Sequence, residues 1–143
     1  MPIHYTIQSD LDLLLYIFTG PCTANEYFAM YHTVYQDARR HHGMKVLVDT
    51  TNATLDMDTD SLMVATSIVK ENKEGKFPPD HVAILTRGSS YKYLADTLIL
   101  LAKGVDMHLD VFNNVYDAIR WLDLSEKENE TVLFWMASQQ VAG

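Results

Sequence analysis

The stretch KVLVD at residues 45–49 indicates the fold class. Its central residues are apolar, two of them are β-branched, and there is no alternation with polar positions. A run of this kind is typical of a strand that is buried on both faces of a helix-covered sheet. Residues 81–86 (HVAILT) show the same pattern further along the chain. The two runs therefore predict central strands of an α/β sheet.

The sequence before residue 45 predicts an antiparallel hairpin. Residues 4–8 alternate between apolar and polar side chains, and a polar turn follows at residues 9–12. Residues 13–19 (LLLYIFT) then form an apolar run, which Gly20 and Pro21 close. Two short strands joined by a tight polar connection are the usual signature of a hairpin.

The first helix is marked at both ends. Thr23 and Glu26 have the spacing of a capping box, in which each side chain bonds the backbone N–H of the other. Apolar residues at three- and four-residue spacings continue the helix. Arg39 and its basic neighbours suit the negative end of the helix dipole, and Gly43 suits a left-handed stop.

Further helices are predicted near residues 59–74 and 91–103, with an edge strand at residues 107–112 and a short helix after it. The element order is β-β-α-β-α-β-α-β-α. We therefore expect an α/β fold with a single mixed, mostly parallel sheet, an N-terminal antiparallel hairpin and flanking helices.

The pattern changes after residue 124. Residues 125–130 read as a charged linker, and residues 131–136 (TVLFWM) are strongly apolar. We expect residues 1–124 to form the α/β domain and residues 125–143 to be a C-terminal appendage. The apolar segment could pack on the same domain or dock on another subunit, because an exposed patch of this kind promotes aggregation.

Composition limits the classes of partner. The hydrophobic fraction of 48% and the charged fraction of 21% are ordinary for a globular protein, but the formal net charge is −8. A phosphate backbone repels such a chain, so we expect no nucleic-acid partner. The longest purely apolar run, residues 98–102, is too short to form a transmembrane segment. The single cysteine, Cys22, suits a reducing compartment and a cytoplasmic location.

Polar residues follow the predicted central strands. In open α/β sheets, ligands bind outside the carboxyl ends of the strands. One cation, several hydroxyls and free helix N-termini would suit an anionic small molecule or a lipid head group. The alternative interpretation is that these residues only cap helices and form turns. The predicted ligand-binding residues are Asp49, Thr50, Thr51, Asn52, Arg87, Ser89 and Ser90.

The sequence offers no motif for a metal, a cofactor or covalent catalysis. The six histidines lack ligand spacing, and His41 and His42 are adjacent and would diverge on a helix. No matched nucleophile–base pair or phosphate-binding loop is present. A binding module is therefore favoured over the alternative, a small enzyme that uses the rim around Asp49 and Arg87 with Asp49 as a base.

Two predicted helices are more hydrophobic than one buried stripe requires. Residues 62–65 (LMVA) and 98–101 (LILL) each extend around the helix. A partner subunit, a lipid chain or the apolar tail could cover the second face. We expect a homodimer, because self-association is the common way in which soluble proteins cover such surface.

The order and spacing of these elements resemble the SpoIIAA-like branch of the STAS (anti-sigma-factor antagonist) superfamily, whose fold is close to the lipid-binding Sec14 domain. The resemblance covers roughly residues 4–123 and rests on no single motif. It implies a non-enzymatic regulatory or binding module. The matching stretches are Phe18-Thr19-Gly20, the helix start from Thr23 to Tyr27, VLVD at 46–49, VAIL at 82–85, Val111-Phe112, Ala118 and Trp121-Leu122.

The resemblance also implies a phosphorylation site. In phospho-regulated members, a serine in an Asp-Ser-Ser-Gly-Leu motif at the start of the second helix is phosphorylated by a partner kinase. The corresponding stretch here is MDTDSL at residues 57–62, which places Thr59 at the acceptor position. The motif's glycine is absent and Asp60 adds an acid that would repel a phosphate, so the alternative, in which Thr59 is an ordinary helix-start residue, is favoured over phosphorylation.

Overall fold

The computed structural model of the 143-residue chain describes residues 3–8, 12–39, 43–56, 60, 81–86 and 108–142. The predicted helices near residues 59–74 and 91–103 lie outside these ranges, apart from Asp60. The described strands and helices are β1 (Ile3–Gln8), β2 (Leu13–Thr23), α1 (Ala24–Gln36), β3 (Lys45–Asp56), β4 (His81–Leu85), β5 (His108–Phe112), α2 (Val115–Leu122) and α3 (Glu126–Ala142).

The strands form one mixed sheet in the order β1-β2-β3-β4-β5. β1 pairs with β2 antiparallel. The other three pairs, β2 with β3, β3 with β4 and β4 with β5, are parallel. The hairpin turn includes Asp12, whose φ of 57° is in the left-handed region. The Lys45 N–H donates to the Asp12 carbonyl over 2.9 Å and so joins this turn to the start of β3. The predicted fold class is confirmed.

Helices cover both faces of the sheet. Leu14 and Phe18 of β2 pack with Met30 and Val34 of α1 in a cluster on one side, which we call the α1 face. On the other side, the α2–α3 face, Leu13 and Leu15 pack with buried residues of both later helices, namely Ala118, Ile119, Leu122 and Val132. Alternate residues of a strand point to opposite faces, so one strand contributes to both clusters.

The capping box of α1 forms as predicted, but the helix ends earlier than expected. Glu26 N donates to Thr23 Oγ1 over 3.3 Å, and Thr23 N donates to Glu26 Oε1 over 3.0 Å. The helix stops at Gln36, because the Asp37 carboxylate accepts bonds from the Arg39 backbone and side chain and from the Tyr5 hydroxyl. These bonds hold the chain in an extended conformation at Asp37.

The predicted charged linker at residues 125–130 is wrong, because α3 begins at Glu126. Ser125 and Glu128 form a second capping box, in which Glu128 N donates to Ser125 Oγ over 3.2 Å and Ser125 N donates to Glu128 Oε1 over 3.0 Å. Val132 of α3 is fully buried on the α2–α3 face. The boundary after residue 124 stays a prediction. No helix in the described ranges is long and apolar enough to cross a membrane.

Candidate functional site

The pairing of β2 with β3 changes register at the carboxyl end of the sheet. Ile17 lies opposite Asp49, whereas Thr19 lies opposite Asn52. Phe18 therefore faces two residues of β3, Thr50 and Thr51, which is the pattern of a β-bulge. Bulges are uncommon in parallel pairs and frequent next to active sites, so this position is the first candidate for a functional site.

The bulge reverses which residues of β3 face the core. Before it, the even-numbered residues Val46 and Val48 pack on the α1 face, and after it Ala53 packs there. A regular strand would have directed Ala53 to the opposite face, because side chains alternate with a period of two. The extra residue thus keeps Ala53 in the core and leaves Asn52 and Thr54 exposed.

Asp49 stabilises the bulge through its side chain. Asp49 is 6% exposed, and the Oδ1 of its carboxylate accepts from the Thr51 backbone N–H over 3.0 Å and from the Thr51 hydroxyl over 2.7 Å. A carboxylate that bonds the backbone two residues further along is a common way to hold a local turn in the chain. Asp49 is therefore already bonded within its own strand.

Two further buried threonines extend the hydrogen bonding beyond the last paired residues of β4. The Thr50 hydroxyl donates to the Leu85 carbonyl over 2.9 Å, and the Thr86 N–H donates to the Phe112 carbonyl over 2.8 Å. Thr50 and Thr86 are each about 5% exposed or less. The described ranges contain four buried polar or charged residues. Three of them, Asp49, Thr50 and Thr86, lie at this edge of the sheet.

The predicted site residues have different outcomes. Asp49, Thr50, Thr51 and Asn52 lie within β3, so the prediction that the strand ends at residue 49 and that residues 50–52 follow it is wrong. β2 continues through Gly20 and Pro21 to Thr23, and this longer partner keeps residues 52–56 in strand pairing. Arg87, Ser89, Ser90 and Thr59 lie outside the described residues, so their part in a site stays a prediction.

Sequence reasoning placed Thr86 next to the site but did not include it, because a single threonine after an apolar run carries no specific signal. Its burial depends on β5, whose Phe112 carbonyl accepts its N–H. Asn114, also at this edge, is a helix cap, since its Oδ1 accepts from Tyr116 N over 2.8 Å and Asp117 N over 3.3 Å. Asn113 beside it is exposed.

The described residues bring together no three His, Cys, Asp or Glu side chains that could hold a metal ion. His81 and His108 stack with their ring centroids 5.1 Å apart, but they begin β4 and β5 and so lie at the opposite end of the sheet. The Cys22 thiol is buried near the Thr19 and Gly20 carbonyls. Burial, with the Glu26 carboxylate, raises the pKa of this thiol and keeps it protonated.

Comparison with known proteins supports the fold. The sequence matches no family model, and no curated protein matches it. A crystal structure from Shewanella loihica, an uncharacterized protein of the DUF3478 family with a SpoIIAA-like fold, superposes with a TM-score of 0.56. The two sequences are 16% identical, and the match covers 84% of this chain and 91% of the other. The chain therefore has a SpoIIAA-like fold.

Proposed function

We propose that this chain is a non-enzymatic, SpoIIAA-like binding or regulatory module that takes its ligand at the carboxyl edge of the sheet. The observation that carries the proposal is the bulge at Asp49, where buried polar side chains are bonded to one another and to the backbone. A set of polar groups held in this way is a rigid frame for recognition, because its members need no rearrangement when a ligand binds.

The same bonds argue against an enzyme. Asp49 Oδ1 accepts two bonds from Thr51, and the Thr50 hydroxyl donates its only proton to the Leu85 carbonyl. The Thr51 hydroxyl does contact a carboxylate, but a catalytic base is normally oriented by a third group. In the part of the chain that the structure describes, no histidine or lysine is bonded to this pair. In this proposal Asp49 therefore stabilises the bulge in β3 and does not act as a catalytic base.

The proposed class of ligand is supported by residues in the sequence as well as by the buried polar residues around Asp49. The exposed side chains Asn52 and Asn113 supply uncharged donors and acceptors at this edge. The cation that would select an anionic or lipidic head group is Arg87, with Ser89 and Ser90 beside it in the sequence. A small anionic or lipidic ligand is the first candidate, and a protein partner is the alternative. A homodimer and a cytoplasmic location complete the proposal.

The test is a thermal-shift screen of the full chain with lipids, nucleotides and organic phosphates. A true ligand raises the stability by about 2.7 kcal/mol when its free concentration is 100 times Kd. We expect Arg87→Ala to lose this stabilisation and Arg120→Ala, an exposed arginine on α2, to keep it. Retained affinity in Arg87→Ala would refute the anion site, and chemical turnover of the bound compound would refute the non-enzymatic assignment.

A further inference from the structure

The hydrogen bonds at the carboxyl edge of the sheet continue past β4 to the end of β5. Asp49, Leu85 and Phe112 are the last residues that pair across β3, β4 and β5. The Leu85 carbonyl accepts from the Thr50 hydroxyl, and the Phe112 carbonyl accepts from the Thr86 N–H. The edge that begins at the β3 bulge therefore extends across three strand ends, and α2 begins just after the third.

Tyr116 lies in the first turn of α2. The Asn114 side chain holds this turn, because its Oδ1 accepts from the Tyr116 N–H over 2.8 Å. Val115 and Ala118 pack on the α2–α3 face, whereas Tyr116 is exposed and points away from the core. Side chains of a helix lean towards its N-terminus. Since α2 directly follows β5, its N-terminus is at the carboxyl edge, and the phenol ring leans towards that edge.

Tyr116 places a large apolar surface beside polar groups, because the residue is 61% exposed. Three large hydrophobic side chains in the described ranges are exposed, and the other two, Leu133 and Phe134, lie on α3. A tyrosine offers a flat apolar ring and a hydroxyl that can form hydrogen bonds, and it is enriched at binding surfaces for this reason. The Tyr116 ring is therefore suited to contact the apolar part of a ligand whose polar part lies at the strand ends.

The charges around Tyr116 are compatible with an anionic ligand. Asp117 and Arg120 are both exposed on α2 and form a salt bridge. The guanidinium compensates the Asp117 carboxylate, which therefore repels an anion less than an unpaired carboxylate would. Asn113, which is exposed before the helix, is uncharged. The first turn of α2 thus adds an aromatic ring to the edge without adding an uncompensated negative charge.

We propose that Tyr116 is a specificity-determining residue of the ligand site, and that the ligand is an anion that carries an aromatic ring. The inference rests on the proposed function, since it requires that an anion binds at the carboxyl edge. The aromatic ring of the ligand packs against the Tyr116 ring in an offset or edge-to-face arrangement. Tyr116 selects among anions and does not supply the charge that holds them.

A saturated apolar group would also contact an exposed ring, but only through the area that it buries. A pair of aromatic rings gains about two- to tenfold in affinity beyond the effect of buried area. The experiment therefore compares three phosphate esters that carry the same anionic group. Methyl phosphate represents the anion alone, cyclohexyl phosphate adds a saturated ring, and phenyl phosphate adds an aromatic ring of similar size.

The measurement is the Kd of each ester for the full chain, by isothermal titration calorimetry. We expect phenyl phosphate to bind about fivefold more tightly than cyclohexyl phosphate. Tyr116→Ala should abolish this preference, and Tyr116→Phe should keep it, because phenylalanine retains the ring. Phe134→Ala, which removes an exposed ring from α3, should leave all three Kd values unchanged. Arg87→Ala should weaken the binding of all three esters.

The outcomes separate this inference from the proposed function. If the parent binds none of the three esters, the anion site is wrong and the inference fails with it. If the parent binds them without preferring the phenyl ester, or if Tyr116→Ala keeps the preference, the inference alone is overturned. Circular dichroism establishes that each variant folds, and Tyr116→Ser replaces Tyr116→Ala if that variant does not fold.

Discussion

Asp49 holds the β3 bulge in place through two hydrogen bonds from Thr51. Asp49→Ala removes the acceptor for a partly buried backbone N–H, so we expect the free energy of unfolding to fall by about 2 kcal/mol. Asp49→Asn keeps an acceptor oxygen and should cost about half as much. Urea denaturation of the three proteins measures the difference. An Asp49→Ala variant as stable as the parent would contradict the assigned role.

Asp37 joins the end of α1 to the edge strand β1. The Arg39 guanidinium, then the Arg39 backbone N–H and the Tyr5 hydroxyl, lower the pKa of Asp37 below its ordinary value. A carboxyl with a lowered pKa in the folded state adds stability above its unfolded pKa of about 4, and this is lost as the pH falls further. We expect Asp37→Asn to cost about 1 kcal/mol at pH 7.

The control for this prediction is the pH dependence of the free energy of unfolding. The stability difference between the parent and Asp37→Asn should shrink as the pH falls below about 4, because protonated aspartic acid loses its charge-assisted bonds. Urea titrations at several pH values test this. Tyr5→Phe, which removes one of the bonds but no carboxylate, should retain most of the pH dependence. A difference that does not vary with pH would show that the bonds contribute little.

At the scale of the element, one side of α3 packs against the sheet and the other side is exposed. Val132 is fully buried among Leu13, Leu15 and Leu47, whereas Phe134, two residues further on, is mostly exposed. Val132→Ala leaves a cavity and should cost about 2 kcal/mol, and Phe134→Ala should cost less than about 0.5 kcal/mol. Equal effects in urea denaturation would mean that α3 does not pack on the sheet in solution.

At the scale of the whole molecule, the described residues form a sheet with helices on each face, and local signals in the sequence indicate much of this arrangement. The runs at β3 and β4 are apolar without alternation, which predicted central strands, and the capping box predicted the start of α1. The length of β2 was underestimated, because Gly20 and Pro21 usually end a strand. Here the pairing with β3 outweighs that local preference and continues to Thr23.

The role of the candidate site in binding stays a prediction, and its position at the carboxyl end of β3 is the part that the sequence indicates. The rule that ligands bind beyond the carboxyl ends of strands identified Asp49 and its neighbours. It could not show that Asp49 bonds Thr51 or that Thr50 reaches the Leu85 carbonyl, since the second bond joins residues 35 positions apart. Ser125 and Glu128 have capping-box spacing, but the run of charges at residues 125–130 favours a linker, so the local pattern does not predict the start of α3.

The sequence by itself determined the α/β class, the antiparallel hairpin, the start of α1 and the acidic charge of the chain. Each depends on residues within a few positions of one another or on composition alone. The tertiary structure decided the register shift at Asp49, the continued pairing of β2 with β3 as far as Thr23 and Asp56, and the burial of Val132. These depend on contacts between strands and helices that are distant in the sequence, and no local pattern specifies which of them will form.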